Sequence, residues 1–273
     1  MKITKLIIPA AGIGSRFLPI TKSIPKEMLP LSNKPAIEYI VQEAFDADIL
    51  KVGIILSPEK GVIKEYFQPN THLDKILAEK NQSYRVEGLN QLIEQIDFSY
   101  FYQYNPAGLA DALMQAQNFI KPNELFAVAL PDDIIFGATP EILNLMHVAE
   151  KMQGMVIAVQ EVAMQEISSY GVIAIDQQID ENCYKIASLI EKPKMADAPS
   201  NLAIVGRYIF HADLFSFIPQ TPLTTGNEIL LPDTINLMIK SGYPVFAYKV
   251  QGERFDTGTP QGWLKFIIQN NSF

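Results

Sequence analysis

Cysteine and histidine are scarce in this chain of 273 residues, which contains one cysteine and three histidines. The single Cys183 has no partner for an intramolecular disulfide, and no cluster of cysteine and histidine has metal-ligand spacing. No apolar run approaches the roughly 20 residues that span a bilayer. Pro9, Gly12 and Gly14 interrupt the first apolar segment, which argues against a signal peptide. We therefore expect a cytoplasmic protein with no membrane partner.

Blocks of basic residues are also missing. The chain has 22 Lys and Arg against 30 Asp and Glu, a formal net charge of −8, and no stripe of alternating basic and aromatic residues. This distribution argues against nucleic acid and anionic membranes as partners. An anionic substrate must therefore be held by a few individually placed cations.

Strand-like and helix-like patterns alternate through the first half of the chain. Apolar strands such as "TKLIIPA", "KVGIILS" and "LFAVAL" are separated by amphipathic segments such as "KPAIEYIVQEAFDADI". This βαβαβα order predicts an α/β fold with a parallel sheet that helices cover on both faces. The stretch 71–97 is polar and helix-prone, and it has no assignable role beyond packing.

The pattern changes after about residue 154. Four strand-like runs follow with few helices between them, and a helix is predicted at "NEILLPDTINLMIKSG". Such runs predict a mixed, partly antiparallel second half. No Ser/Gly-rich linker separates the halves. We therefore expect a single domain over 1–273 with one continuous sheet and two lobes, about 1–153 and about 154–273.

The most informative segment is 8–31, "IPAAGIGSRFLPITKSIPKEMLPL". It is not the dinucleotide fingerprint G-x-G-x-x-G, because Phe17 stands where the third glycine is needed, and the Walker loop occurs nowhere in the chain. Small residues nevertheless let the backbone approach a ligand and direct N–H groups at phosphate oxygens. The candidate nucleotide-binding residues are Ala10, Ala11, Gly12, Gly14 and Ser15.

Prolines and cations follow these small residues. Pro19 and Pro25 predict an extended loop, because proline inside a helix costs about 3 kcal/mol. An extended loop could wrap a triphosphate with Arg16 at one end and Lys26 at the other. Arg offers bidentate donors and Lys a point charge, which suits an α-phosphoryl group and a departing pyrophosphate. On spacing alone, a surface loop with two solvated cations stays open.

The segment "AAGIGSRFLPITKSIPKEMLPLSNKPAIEYIV" closely resembles the G-x-G-[ST]-R-x(4)-T-x(3)-[PS]-K signature of the sugar-1-phosphate nucleotidylyltransferase family. Its "IPKEMLP" is the form typical of bacterial UTP–glucose-1-phosphate uridylyltransferases within that family, and the resemblance runs nearly the length of the chain. It implies a Rossmann-like three-layer nucleotide-diphospho-sugar transferase fold, with a mixed, mainly parallel central sheet and a smaller sugar-binding lobe. The implied reaction is Mg²⁺-dependent: UTP and glucose 1-phosphate give UDP-glucose and pyrophosphate. A homodimer or homotetramer is implied as well.

Two carboxylate segments predict a metal site. "LFAVALPDD" places two aspartates at the carboxyl edge of a strand, where open α/β sheets bind ligands, and "RFDTG" adds a third late in the chain. Mg²⁺ takes few protein ligands and keeps several waters, so two such oxygens suffice. A simple turn or helix cap is the alternative for the Asp-Asp pair. The resemblance assigns the metal to Asp132 and Asp256, and places Asp133 close by in the sugar-phosphate site.

Further motifs are similar to the family's sugar-phosphate site. In "SLIEKPK" the resemblance implies that Glu191 holds glucose hydroxyls and that Lys192 contacts the substrate phosphate as a catalytic cation, although the segment also reads as a charged turn stopped by Pro193. "YGVI" and "APSNLAIVGRYIF" imply sugar contacts from the Gly171 backbone and near Val205. "GNEILLPDTI" resembles another family motif, with Pro replacing the family's Thr.

The segment "QYNPAGLADAL" predicts which nucleotide base is bound. Gln103 can both donate and accept, which suits the imide edge of uracil or thymine, and the Gly108 backbone lies nearby in sequence. Uridylyltransferases usually read L-G-H-A where this chain reads L-A-D-A, which is closer to glucose-1-phosphate thymidylyltransferases, as is "DTGTP". The longer matches elsewhere favour UTP, and dTTP is the alternative.

The shortage of histidine fits nucleotidyl transfer. A sugar phosphate with a second pKa of about 6 is already largely dianionic at neutral pH, so its attack needs no side-chain base. Two other classes stay open. An NAD-dependent oxidoreductase would bind its cofactor at the first turn, although the fingerprint is incomplete. A catalytically silent regulatory subunit would keep the sugar site, although the retained cations and metal ligands argue against it.

Overall fold

Runs of β-branched and aromatic residues form the strands of the computed structural model, which describes residues 2–270. The strands are β1 (Lys5–Pro9), β2 (Pro30–Leu31), β3 (Lys34–Pro35), β4 (Lys51–Leu56), β5 (Asp97–Tyr102), β6 (Leu125–Ala129), β7 (Asp133–Phe136), β8 (Met155–Glu161), β9 (Gly171–Gln178), β10 (Cys183–Glu191), β11 (Leu202–His211), β12 (Val245–Lys249) and β13 (Glu253–Asp256).

Amphipathic segments form the helices between them. These are α1 (Ala36–Asp46), α2 (Gly61–Tyr66), α3 (Thr71–Glu79), α4 (Glu87–Gln95), α5 (Leu109–Met114), α6 (Glu141–Met152), α7 (Leu214–Phe217), α8 (Leu231–Lys240) and α9 (Pro260–Gln269). Helix α8 begins later than predicted, because Pro232 lies in its first turn, the position that proline favours in a helix. Among the described residues, none of the helices has the length and apolar character to traverse a bilayer.

Nine strands form one sheet in the order β5-β4-β1-β6-β11-β8-β12-β10-β9. The strands of the first half, from β5 to β6, pair in parallel. Strand β11 is antiparallel to both β6 and β8, and β12 returns to parallel pairing with β8. The predicted mixed α/β sheet is confirmed, but it is not mainly parallel: of the eight neighbouring pairs in this order, four are parallel and four are antiparallel. Strands of both halves share it, and the division near residue 153 stays a prediction.

Helices cover both faces of this sheet. On β1, Ile8 points into the core beneath α1, where Ile37 and Ile40 are fully buried. Its neighbour Ile7 enters the opposite core, which includes Leu113 of α5. Adjacent residues of one strand therefore serve two cores, as expected for a strand between two helical layers.

A small second sheet was not predicted. Strand β13 pairs antiparallel with β7, and Asp256 lies opposite Asp133 in the register. Both strands have four residues, which is too short for a clear alternation of polar and apolar side chains. This pairing brings the end of the chain to the carboxyl edge of the main sheet.

Arg207, fully buried on β11, fixes the backbone that follows β6. Its Nε and Nη2 donate to Glu43 Oε2 of α1 at 3.0 and 2.7 Å, and its Nη1 donates to the carbonyl of Leu130 at 3.3 Å. A buried charge needs such a complete set of partners. The Arg207–Glu43 pair therefore fixes the backbone at Leu130, two residues before Asp132.

Candidate active site

The loop after β1 contains three short 3₁₀ turns, at Ser15–Phe17, Ile20–Lys22 and Lys26–Met28. The predicted extended conformation is therefore wrong. Pro19 and Pro25 stand immediately before the second and third turns, where the missing N–H of proline breaks no helical hydrogen bond. Each of the two prolines precedes a turn, so the loop is not extended. Arg16 and Lys26 each lie in one of the turns.

Gly14 allows the loop to fold back on itself. Its φ of 71° is left-handed, and a Cβ there would lie 3.1 Å from Thr21 Cγ2 and 3.3 Å from Lys26 Cβ. Thr21 Oγ1 donates to the Gly14 carbonyl at 2.9 Å. Across 11–16, no backbone N–H donates a hydrogen bond to an acceptor within residues 2–270. Free N–H groups in succession are what an anion-binding loop requires, and nucleotide binding by these residues stays a prediction.

Asp132 and Asp256 face one small space. Asp132 follows β6 and Asp256 ends β13, and the two segments are joined by Thr257, whose N–H donates to the Asp132 carbonyl at 2.7 Å. A Cβ on Gly258 would lie 2.6 Å from Asp132 Oδ2 and 3.2 Å from Asp256 Oδ1. The glycine therefore leaves open the position at which both carboxylates converge.

This donor set fits Mg²⁺. No group of three or more potential ligands from His, Cys, Asp and Glu occurs within residues 2–270. Mg²⁺ is commonly held by one or two carboxylates together with waters and phosphate oxygens of a substrate, so two aspartates suffice. Asp132 and Asp256 are the residues that would hold it.

Lys26 and Asp132 form an ion pair of 2.5 Å between Nζ and Oδ2. Burial would lower the pKa of Lys26, but the Asp132 and Glu27 carboxylates outweigh it and raise this pKa above its usual value. Burial would likewise raise the pKa of Asp132, but Lys26 holds it below its usual value. Both groups are therefore charged at neutral pH, with the cation of the loop at the predicted metal site.

Asp133 is held inside the protein. Its Oδ1 accepts from Arg254 Nε at 2.6 Å and its Oδ2 accepts from the Gly206 N–H at 2.8 Å. Burial raises the pKa of Asp133, against the opposing charge of Arg254. The Arg254 guanidinium also lies over the ring of Tyr170. Both carboxylate oxygens thus have partners, which favours a positioning role for Asp133, and its predicted contact with the sugar phosphate stays a prediction.

A cavity of about 960 Å³ lies beside these groups. Its walls include many of the predicted site residues: Arg16, Gly108, Asp132, Asp133, Gly171, Glu191 and Asp256. Gly171 lies opposite Glu191 in the pairing of β9 with β10, and a Cβ on Gly171 would lie 3.2 Å from Glu191 Oε2. These two residues, both predicted to contact the sugar, are therefore adjacent.

Two predicted sugar-phosphate residues stand apart from the cavity wall. Lys192 has a left-handed φ of 44°, and its exposed Nζ lies 3.5 Å from Glu191 Oε1. The side chain of Val205 is fully buried in the core, so a contact with sugar would have to come from its backbone. Its neighbours Ile204 and Gly206 line the cavity.

Gln103 is buried and oriented by Asp111. Its Nε2 donates to Asp111 Oδ2 at 2.7 Å and to the Gly108 carbonyl at 3.3 Å. An ionised carboxylate only accepts hydrogen bonds, so the amide NH₂ of Gln103 must face Asp111 and its Oε1 faces elsewhere. Gly108 has a φ of 95°, and a Cβ there would lie 2.8 Å from the Ile229 carbonyl, which explains the glycine.

A family model described as Nucleotidyl transferase matches residues 5–270. The chain belongs to this family. It is 38% identical to UTP–glucose-1-phosphate uridylyltransferase of Mycoplasma pneumoniae, over 97% of this chain and 91% of that protein. It is 40% identical to the Bacillus subtilis protein of the same name, over 98% of this chain and 91% of that protein.

Solved structures give the same result. A crystal structure of apo UDP-glucose pyrophosphorylase matches with a TM-score of 0.93 and 35% identity over 98% of both chains. UTP-bound UGPase from Acinetobacter baumannii matches with a TM-score of 0.90 and 33% identity, over 98% of this chain and 93% of that one. These findings confirm the resemblance and the fold class, and they favour nucleotidyl transfer over the dehydrogenase alternative. As a family member the chain is a nucleotidyltransferase.

Sequence reasoning missed three charged residues of the site. Arg254 stands two residues before Asp256 and belongs to the unpredicted β13. Glu27 lies inside the "IPKEMLP" segment, where its burial could have been suspected from the apolar residues around it. Lys60 closely follows β4, so its position at the carboxyl edge of the sheet could have been predicted from the sequence.

Gly258→Ala is expected to raise the Mg²⁺ concentration for half-maximal turnover by at least about tenfold, the lower end for a disturbed metal ligand. The added methyl group would lie 2.6 Å from Asp132 Oδ2 and displace it. The measurement is a Mg²⁺ titration of turnover, with Gly88→Ala, whose Cβ meets nothing within 4 Å, as the matched control. An unchanged Mg²⁺ requirement would show that no metal binds beside Gly258.

Proposed function

We propose that this nucleotidyltransferase makes UDP-glucose and pyrophosphate from UTP and glucose 1-phosphate with Mg²⁺. The observation that carries the proposal is the convergence of the Lys26–Asp132 pair and Asp256 beside a loop of free N–H groups. The substrates are inferred from the names of relatives that are 38–41% identical to this chain, which are called UTP–glucose-1-phosphate uridylyltransferase. A homodimer or homotetramer and a cytoplasmic location stay predictions.

The reaction is an in-line displacement at phosphorus. An oxygen of the glucose 1-phosphate dianion attacks the α-phosphorus of UTP and forms a new P–O bond. The bond from the α-phosphorus to the bridging oxygen of the β-phosphate breaks, and pyrophosphate leaves with that electron pair. The chain's task is to align the groups and to offset their charge.

Each predicted residue then has a role at a stated part of the substrates. The free N–H groups of the loop hold the β- and γ-phosphate oxygens, and Arg16 and Lys26 offset charge on the α-phosphoryl group and the leaving pyrophosphate. Glu191 and the Gly171 backbone hold the glucose hydroxyls, and Lys192 contacts the phosphate of glucose 1-phosphate. Bound Mg²⁺ would supply further charge neutralisation at the phosphate oxygens.

The base is read through Gln103 in this proposal. Because Asp111 takes the amide NH₂, the Gln103 Oε1 is left to accept from the imide N–H of a pyrimidine. Uracil and thymine carry that N–H, whereas the corresponding nitrogen of cytosine only accepts. The site therefore favours UTP or dTTP over CTP, and the relatives favour UTP.

The test is pyrophosphate release at about 5 mM Mg²⁺, a concentration chosen for a weak oxygen-ligand site. UTP, dTTP, CTP and ATP are crossed with glucose, galactose and N-acetylglucosamine 1-phosphates. Preference for UTP with glucose 1-phosphate is expected. Preference for dTTP would make the chain a thymidylyltransferase. Nucleotide binding without pyrophosphate release would identify a regulatory subunit instead.

We expect kcat/KM for glucose 1-phosphate to fall about tenfold per pH unit below a pH of about 6, where the phosphate gains a proton. No loss through Lys26 is expected up to pH 9, because its pKa lies above the usual value. The profile is measured for wild type and for asparagine variants of the three histidines, none of which lines the cavity among the described residues. Loss of the acid limb in one variant would identify that histidine as a base.

A further inference from the structure

Lys60 packs against residues 10–28, the loop after β1, which is called the phosphate loop below for its proposed role. None of the roles proposed above involves Lys60. It is almost fully buried, directly before α2, although a buried lysine is unusual unless its charge is paired. Its Nζ donates to the Ala10 carbonyl at 2.7 Å and to the Gly12 carbonyl at 2.5 Å. It also donates to Glu27, at 2.8 Å to Oε2 and 3.0 Å to Oε1.

These partners use the whole donor capacity of the ammonium group. A lysine has three N–H donors and no acceptor, and here two go to carbonyls at the start of the loop and one to a carboxylate at its end. Glu27 is itself fully buried, and it directly follows Lys26 in the chain. One ammonium group therefore joins both ends of the loop.

The two carbonyl contacts also fix the direction of the N–H groups. In a planar trans peptide the C=O of one residue and the N–H of the next point in opposite directions. With the Ala10 and Gly12 carbonyls directed at Lys60, the N–H groups of Ala11 and Ile13 point away from it. Neither donates to an acceptor within residues 2–270. Both are thereby presented to an incoming anion.

We propose that Lys60, with Glu27 as its counter-ion, is a positioning residue that orients the phosphate loop for the triphosphate. This inference rests on the proposed function for the identity of the nucleotide, and it assigns no contact between Lys60 and the substrate. The consequence is a selective one. Loss of Lys60 should weaken the interaction with UTP and leave the glucose 1-phosphate site, formed by strands β9 and β10, unaffected.

A double variant distinguishes the positioning role of Lys60 from a purely structural role. Lys60→Met alone leaves the Glu27 charge buried without its partner, which is strongly destabilising. Lys60→Met with Glu27→Gln removes both charges at nearly the same side-chain size, so part of the thermal stability should return. The Ala10 and Gly12 carbonyls still lack their donor in the double variant.

The experiment measures Tm, KM for each substrate, and the Kd of UTP by calorimetry, for wild type, Lys60→Met, Lys60→Met/Glu27→Gln and Lys64→Met. Lys64 lies one turn along α2 near the Tyr100 ring and serves as the control. In the double variant we expect a Tm between those of Lys60→Met and wild type. KM and Kd for UTP should rise at least about tenfold, and KM for glucose 1-phosphate should stay within about twofold of wild type.

Two outcomes would overturn the inference: recovery of both Tm and UTP affinity in the double variant, or equal increases of both KM values. A failure of the proposed function is recognised separately, because wild type itself would then turn over another nucleotide or none. If wild type uses another nucleotide, the comparison is repeated with that nucleotide. If wild type turns over no nucleotide, the calorimetric Kd for UTP alone tests whether Lys60 orients the loop.

Discussion

Replacing Lys26 by alanine is expected to lower kcat for UDP-glucose formation by at least about 10²-fold, the scale for removing one electrostatic stabiliser of a transition state. Its ammonium lies 2.5 Å from Asp132 Oδ2, at the end of the loop where the proposed reaction places the leaving pyrophosphate. Without it, the pKa of Asp132 loses the interaction that holds it below its usual value. Acid inactivation should therefore begin at a higher pH than in wild type.

The matched control is Lys22→Ala, an exposed lysine of the same loop. It should stay within about twofold of wild-type turnover, as substitutions outside the site usually do. Lys26→Arg keeps the charge but changes its geometry, so an intermediate loss is expected. Steady-state kinetics with saturating substrates give kcat directly. Wild-type turnover of Lys26→Ala would remove Lys26 from the proposed mechanism.

Asp132→Asn is expected to lower kcat by a similar factor of at least about 10²-fold, but with a different signature. The amide is a poorer Mg²⁺ ligand than a carboxylate, so the Mg²⁺ concentration for half-maximal turnover should rise. The substitution also removes the carboxylate that raises the pKa of Lys26, while burial, which lowers it, remains. Residual activity should therefore be lost at a lower alkaline pH than in wild type.

A Mg²⁺ titration at fixed UTP distinguishes the two variants, because Lys26→Ala keeps both predicted metal ligands. The control is Asp97→Asn, an exposed aspartate at the start of β5 and thus at the opposite end of the sheet. It should leave both turnover and the Mg²⁺ requirement unchanged. If Asp132→Asn lost turnover at an unaltered Mg²⁺ requirement, Asp132 would act through Lys26 alone and not as a metal ligand.

The sequence was sufficient where the signal is local. Short apolar runs such as "LFAVAL" and amphipathic segments such as "KPAIEYIVQEAFDADI" predicted the strands and helices that carry the site. The small residues of the phosphate loop predicted its free N–H groups, and the position of the aspartates after β6 predicted their place at the carboxyl edge.

It was insufficient where a contact joins distant parts of the chain. Arg207 and Glu43 are 164 residues apart, and their ion pair follows from the meeting of β11 with α1. Asp256 reaches Asp133 through two strands of four residues, which have no periodic pattern to reveal them. Lys60 has its role only because two carbonyls turn toward it. These contacts depend on backbone geometry, which residue types alone do not specify.

The position of β11 has a consequence for folding. This strand comes from residues 202–211, yet it lies between β6 of the first half and β8. A chain that stops near residue 153 would leave β6 as an exposed edge, with unpaired backbone groups beside apolar Phe126 and Val128, a template for aggregation. The sheet closes only when sequence-distant strands meet, which slows folding. A cut near residue 153 therefore falls on the pairing of β6 with β11, and each of the two pieces would be left with an unpaired apolar edge strand in its place.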